Sequence, residues 1–171
     1  MKEHSLTIGA AFLLILVCIA YLACKKPSSE YTEITENDVL AIMNEVEKAT
    51  LTKDIDGVIR HLAPFVVINV TLPPNDSTFL PQQSQLSRDQ YAAELKTVFA
   101  HITYHEYRRE NDTITISEDK RSARTETDVV EVITMYGKQI RTTTHEISVL
   151  EIIDGKILVT SIDAVITGKE S

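Results

Sequence analysis

The chain predicts an α+β domain, and three observations carry that reading. Between residues 36 and 100, apolar residues recur at three- and four-residue steps, the spacing of helices that bury one face. From residue 103 to 167 the pattern changes to Thr-, Val- and Ile-rich stretches broken by short turn signals, the pattern of strands. Both cysteines, Cys18 and Cys24, precede this region, so burial must hold the domain together without disulfides. Helices segregated from an antiparallel meander define an α+β rather than an alternating α/β fold.

Residues 1–24 form a separate signal or membrane anchor. An uncharged run of 19 residues, LTIGAAFLLILVCIAYLAC at 6–24, precedes the pair Lys25-Lys26. A helix crossing a ~30 Å hydrocarbon core needs about 20 apolar residues, so the run meets a spanning length. Lys2, the apolar centre at 10–20 and Ala23 also supply the parts of a secretory signal. Leu22-Ala23-Cys24 resembles the end of a bacterial lipoprotein signal, with Tyr21 where an aliphatic residue is usual. That resemblance implies lipidation of Cys24, a bacterial cell-envelope location and a domain facing the extracytoplasmic side. Simple secretion would release the domain. A retained single-pass membrane anchor with Lys25-Lys26 inside would turn it to the cytoplasm.

About 145 residues follow the leader, enough for one domain with its own core. The chain has 17 basic and 25 acidic residues, a net charge of −8. Removing residues 1–23 takes away only Lys2 and Glu3, so the balance is unchanged. Such a surface repels phosphate backbones, and nucleic acid is not an expected partner. Five unclustered glycines exclude a phosphate-cradling loop, and no serine lies in a nucleophile-elbow context. No cofactor is expected.

After a polar tether at 25–35, Thr35 opens a helix, with Glu36 and Asp38 at its positive end. Val39, Ile42, Met43, Val46 and Ala49 form its apolar stripe. A second short helix is expected over 54–62, ended by Pro64, with His61 a favourable charge at its C-terminus. The β-rich run 65–70 predicts a strand, followed by a loop to Leu86. Ser87 and Gln90 form a capping box that launches a helix over 88–100, with Tyr91, Leu95, Val98 and Phe99 inward. Strands follow at 103–117 (bent near Glu110-Asn111-Asp112), 123–136, 140–153 and 157–167. Asp154-Gly155 is the strongest hairpin signal, because a two-residue turn requires positive φ at both positions.

This order, with its pieces at 38–49, 66–70, 87–99 and the hairpin through Ile152-Ile153-Asp154-Gly155-Lys156-Ile157, resembles the NTF2-like superfamily, with a SnoaL-like flavour. The likeness covers residues 36–168. It implies three N-terminal helices packed on a curved antiparallel sheet, forming a cone around an apolar pocket. Members include isomerases, cyclases and dehydratases with an Asp, Tyr or His in the cone, and also binding or dimerisation modules without catalysis.

Two functions follow. One is a membrane-tethered, non-catalytic module that holds a small apolar ligand or a protein partner, compatible with a homodimer joined through the exposed sheet. The other is an enzyme doing general acid/base proton transfer on a small hydrophobic substrate. For the latter, Asp128, Glu131 and Asp163 are candidate acids among aliphatic strand residues, with Tyr91 beside them. Phe99, Tyr104 and Ile133 are candidate ligand contacts. The strand after His101 offers two faces, Ile102/Tyr104/Glu106/Arg108 and Thr103/His105/Tyr107/Arg109, neither cleanly apolar. His101 and His105 fall on different elements, so no metal site is expected. The run Arg141-Thr142-Thr143-Thr144-His145 suits an exposed face or a row of hydroxyls offered to a ligand.

Overall fold

The computed structural model describes residues 30–73 and 82–170, the side chains of 169 and 170 excepted. The leader, the tether up to residue 29 and Cys24 lie outside the described residues. Helix α1 (Glu36–Leu51) starts from Thr35, which closes a reciprocal capping box with Asp38. A five-residue α2 (Ile55–Ile59) is capped by Asp54 and stops before Arg60. Its Gly57 lies so close to α1 that a Cβ there would meet Ala49 at 2.7 Å. Strand β1 (Leu62–Leu72) follows at once.

Pro64 therefore does not end the second helix; it lies inside β1. The pairing of β1 with its neighbour shifts register between Leu62 and Val67, and an irregularity of this kind tolerates a residue without an N–H. The expected loop up to Leu86 also contains a strand, β2 (Gln82–Leu86), antiparallel to β1. Its Gln-Gln-Ser-Gln sequence lacks apolar alternation because it lies on an edge, where polar residues suit both faces. Helix α3 (Arg88–His101) carries the Ser87–Gln90 capping box.

Four long strands complete the chain: β3 (Ile102–Ile116), β4 (Ser122–Met135), β5 (Lys138–Ile153) and β6 (Lys156–Glu170). They form one sheet with order β2-β1-β6-β5-β4-β3, antiparallel except for the β1–β6 pair. The expected bend in β3 is present. Register shifts between Glu110 and Thr113, with Asn111 at φ 58°. The β4–β5 and β5–β6 turns place Tyr136-Gly137 at φ 52° and 76° and Asp154-Gly155 at 49° and 71°, the paired positive values of tight hairpin turns.

One end of the curled sheet is packed solid by Ile34, Val39, Leu62, Val66, Ala123, Leu150 and Ile157. Entry of the chain is fixed there. Tyr31 N–H donates to the Gly155 carbonyl at 2.8 Å and Ile34 N–H to the Lys120 carbonyl at 2.7 Å, which drives the Ile34 side chain to 1% exposure. Truncation leaves a cavity that the surrounding strands cannot close. Ile34→Ala should therefore cost about 2–4 kcal/mol in urea unfolding, whereas Tyr136→Ala, at a site 73% exposed, should change stability little. A cost at Ile34 below about 1 kcal/mol would show that the segment before α1 is not part of the core.

Candidate binding cavity

Strand alternation sends every second residue of β3 to β6 toward the helices. On β4 the inward set is Thr125, Thr127, Val129 and Glu131; the paired inward residues of β5 are Ser148, Glu146, Thr144 and Thr142. On β3 the same face carries His105, Tyr107 and Arg109, and on β6 it carries Ile162, Ala164 and Ile166. Near the packed end this face is filled. Farther along, the helices stand away from it and leave a partly open cavity of about 470 Å³. Its walls are mostly apolar: Ile42, Met43 and Val46 of α1, Leu95, Val98 and Phe99 of α3, and Val129, Ile162 and Ile166 of the sheet.

A few polar groups converge on this apolar space. Glu146 lines it and accepts a hydrogen bond from Ser148 Oγ at 3.0 Å. Burial pushes its carboxyl above the ordinary range, against smaller opposing effects of Ser148 and Arg109. Tyr91 and Tyr107 also line the cavity, and burial is the main cause that raises both phenols, reinforced by the charges of Glu146 and Glu131. Both stay protonated and can donate.

Glu131 faces the cavity as well. Its carboxylate is 2.7 Å from His105 Nε2, on a ring that is 3% exposed and packs at 6.1 Å from Phe99. An ionised carboxylate only accepts, so Nε2 carries the proton. Nδ1 of the same ring is buried with no hydrogen-bond partner among the described residues. Arg109 joins the sheet to α1, through Glu47 at 2.9 Å and Asn44 at 2.6 Å, and also lies 3.1 Å from Asp112.

The other candidates lie elsewhere. Asp128 is outside the cavity, bonded to Asn111 and His145, whose hydrogen bonds hold its carboxyl below the usual range. Asp163 is exposed and accepts from Asn69 at 2.7 Å. Tyr104 is also exposed, its hydroxyl bonded to Glu106. Ile133 is partly buried on the inward face of β4 but does not line the cavity, whereas Phe99 does. His61 is not the free cation expected at a helix end. It pairs with Glu45 at 3.0 Å, and burial outweighs that pair and lowers its pKa. Thr144 of the Thr-rich run lines the cavity rather than an exposed face. Among the described residues no group of three or more His, Cys, Asp or Glu could hold a metal ion.

Glu146 escaped the sequence reading. Its signal was parity: it stands two residues from Ser148 and four from Leu150, on the face that Leu150 buries.

No known family profile and no curated protein sequence matches the chain. Solved structures do. An NTF2-like protein from Cytophaga hutchinsonii superposes with a TM-score of 0.60 at 13% identity, over 78% of this chain and 99% of that one. The fold is NTF2-like. Another NTF2-like protein, from Pseudomonas putida, gives a TM-score of 0.59 at 13% identity, over 76% of this chain and 84% of that one. A hexachlorocyclohexane dehydrochlorinase gives 0.59 at 6% identity, over 77% and 84%. At such identities the likeness is one of NTF2-like architecture, and the fold accommodates binding and catalysis alike.

The raised acid makes a signed prediction. Folded Glu146 holds its proton more tightly than the unfolded chain does, so its ionisation costs stability. That cost is absent below the unfolded carboxyl value of about 4.3 and complete once pH exceeds the folded value. Glu146→Gln removes it. The stability of the variant relative to the parent should therefore rise as pH climbs above about 4.3, until the folded carboxyl has ionised, in urea titrations. A flat difference would show that the carboxyl is not desolvated.

Proposed function

We propose that the domain is a non-catalytic binding module whose cavity holds a small, largely apolar ligand. The observation that carries this reading is the cavity itself, about 470 Å³ of mostly apolar wall with a few converging polar groups. Ligand sites have this size and this composition. The apolar wall supplies affinity by releasing water, and the Tyr91 and Tyr107 hydroxyls fix orientation.

The test is occupancy. A neutral solvatochromic naphthalene probe should bind the folded protein and shift its emission to the blue. Ala164→Phe, which places a ring in the cavity, should weaken binding about ten-fold or more with an unchanged far-ultraviolet spectrum. A folded protein that leaves the probe in water would end this reading.

A second reading, proton transfer on a hydrophobic substrate, has one observation in its favour: Glu131 faces the cavity while a buried His105 holds its carboxylate at 2.7 Å. A carboxylate that faces an apolar cavity can take or return a proton. Deuterium uptake at the acidic carbon of a bound ketone, lost in Glu131→Gln, would support it; no uptake by the parent protein would remove it.

The leader supports tethering at a bacterial envelope membrane through Cys24. Intact mass of protein purified from its own membrane should then show residues 1–23 removed and Cys24 carrying acyl chains. Retention of Met1 would replace the lipid anchor with an uncleaved leader.

A further inference from the structure

We propose that the ligand is a small hydrophobic amine, its protonated nitrogen seated against Glu146 and flanked by the rings of Tyr91 and Tyr107. The proposal rests on the binding reading above and names the ligand class for that cavity.

The charges around the cavity do not balance. Glu94, Glu131 and Glu146 line it, and among the described residues Arg109 is the one lysine or arginine that does. That arginine is already committed, to Glu47 at 2.9 Å and Asp112 at 3.1 Å, with Asn44 at 2.6 Å. Glu131 has His105. Among the described residues, Glu146 forms no ion pair; the Ser148 hydroxyl is its hydrogen-bond donor.

A buried carboxylate without a cation is costly, and a ligand that brings the cation removes the cost. An ammonium group supplies both the charge and the hydrogen-bond donors. Faces of aromatic rings attract a desolvated cation further, and Tyr91 of α3 and Tyr107 of β3 both line the cavity. A carboxylate or phosphate ligand would meet three acids, and the one arginine, although its Nη1 makes no hydrogen bond among the described residues, already lies 3.1 Å from the Asp112 carboxylate. A neutral alcohol would fill the apolar space without relieving Glu146. The apolar walls of Leu95, Val129 and Ile166 suit the hydrocarbon part of the amine.

The experiment is calorimetric titration of the folded protein at about pH 7 with three matched compounds: 1-naphthylmethylamine, 1-naphthylmethanol and 1-naphthoic acid. The amine should bind at least about ten-fold tighter than the alcohol, and the acid should bind most weakly. Glu146→Gln should bring the amine-to-alcohol affinity ratio close to one, while Asp163→Asn, on an exposed residue outside the cavity, should leave it as in the parent. Thermal melts establish that each variant is folded. An alcohol that binds as well as the amine, or an amine preference that survives Glu146→Gln, overturns this proposal and leaves the cavity reading standing. Failure of all three compounds to bind overturns the cavity reading together with it.

Discussion

Register between β4 and β5 is the constraint on which the site depends. The two strands pair without a shift from Ser122–Glu151 to Met135–Lys138. Because side chains alternate, this single alignment decides every inward group of both strands at once. It turns Thr127, Glu131, Thr144 and Glu146 toward the helices and Asp128 and His145 away from them. A slip of one residue in β5 would exchange Glu146 for His145 in the wall. The Tyr136-Gly137 turn holds the alignment from one end, since positive φ at both positions closes the hairpin in two residues.

The same register explains what the sequence made legible. Helices with capping boxes were readable because Thr35 and Ser87 announce their starts with local hydrogen bonds that need no tertiary context. The bend at Asn111 and the Asp154-Gly155 turn were readable for the same reason: their backbone demands belong to the residues themselves. Strand β2 was not, because Gln82 to Gln85 gain their order from pairing with β1, a partner distant in the chain. Pro64 misled because a local rule against helix continuation says nothing of a strand irregularity that depends on β6.

Legibility of the site was poorer still. Faces of β3 carry mixed polar and apolar residues, so parity could be assigned only once the neighbouring strand was in place. Glu131 looked no different from Asp128 or Asp163 in sequence, each an acid among aliphatic residues. Position in the sheet separates them: two meet hydrogen-bonding partners on exposed surfaces, and one meets a buried histidine. Such sites are where local pattern and burial disagree, and polar groups placed in an apolar wall are tolerated when the rest of the core is well packed.

The packed end supplies that reserve and also fixes where the chain arrives. Tyr31 and Ile34 are hydrogen-bonded to the β5–β6 and β3–β4 turns, at the opposite end of the strands from Thr144 and Ile166. Any leash upstream of Tyr31 is thus fastened to the sealed foot of the vessel.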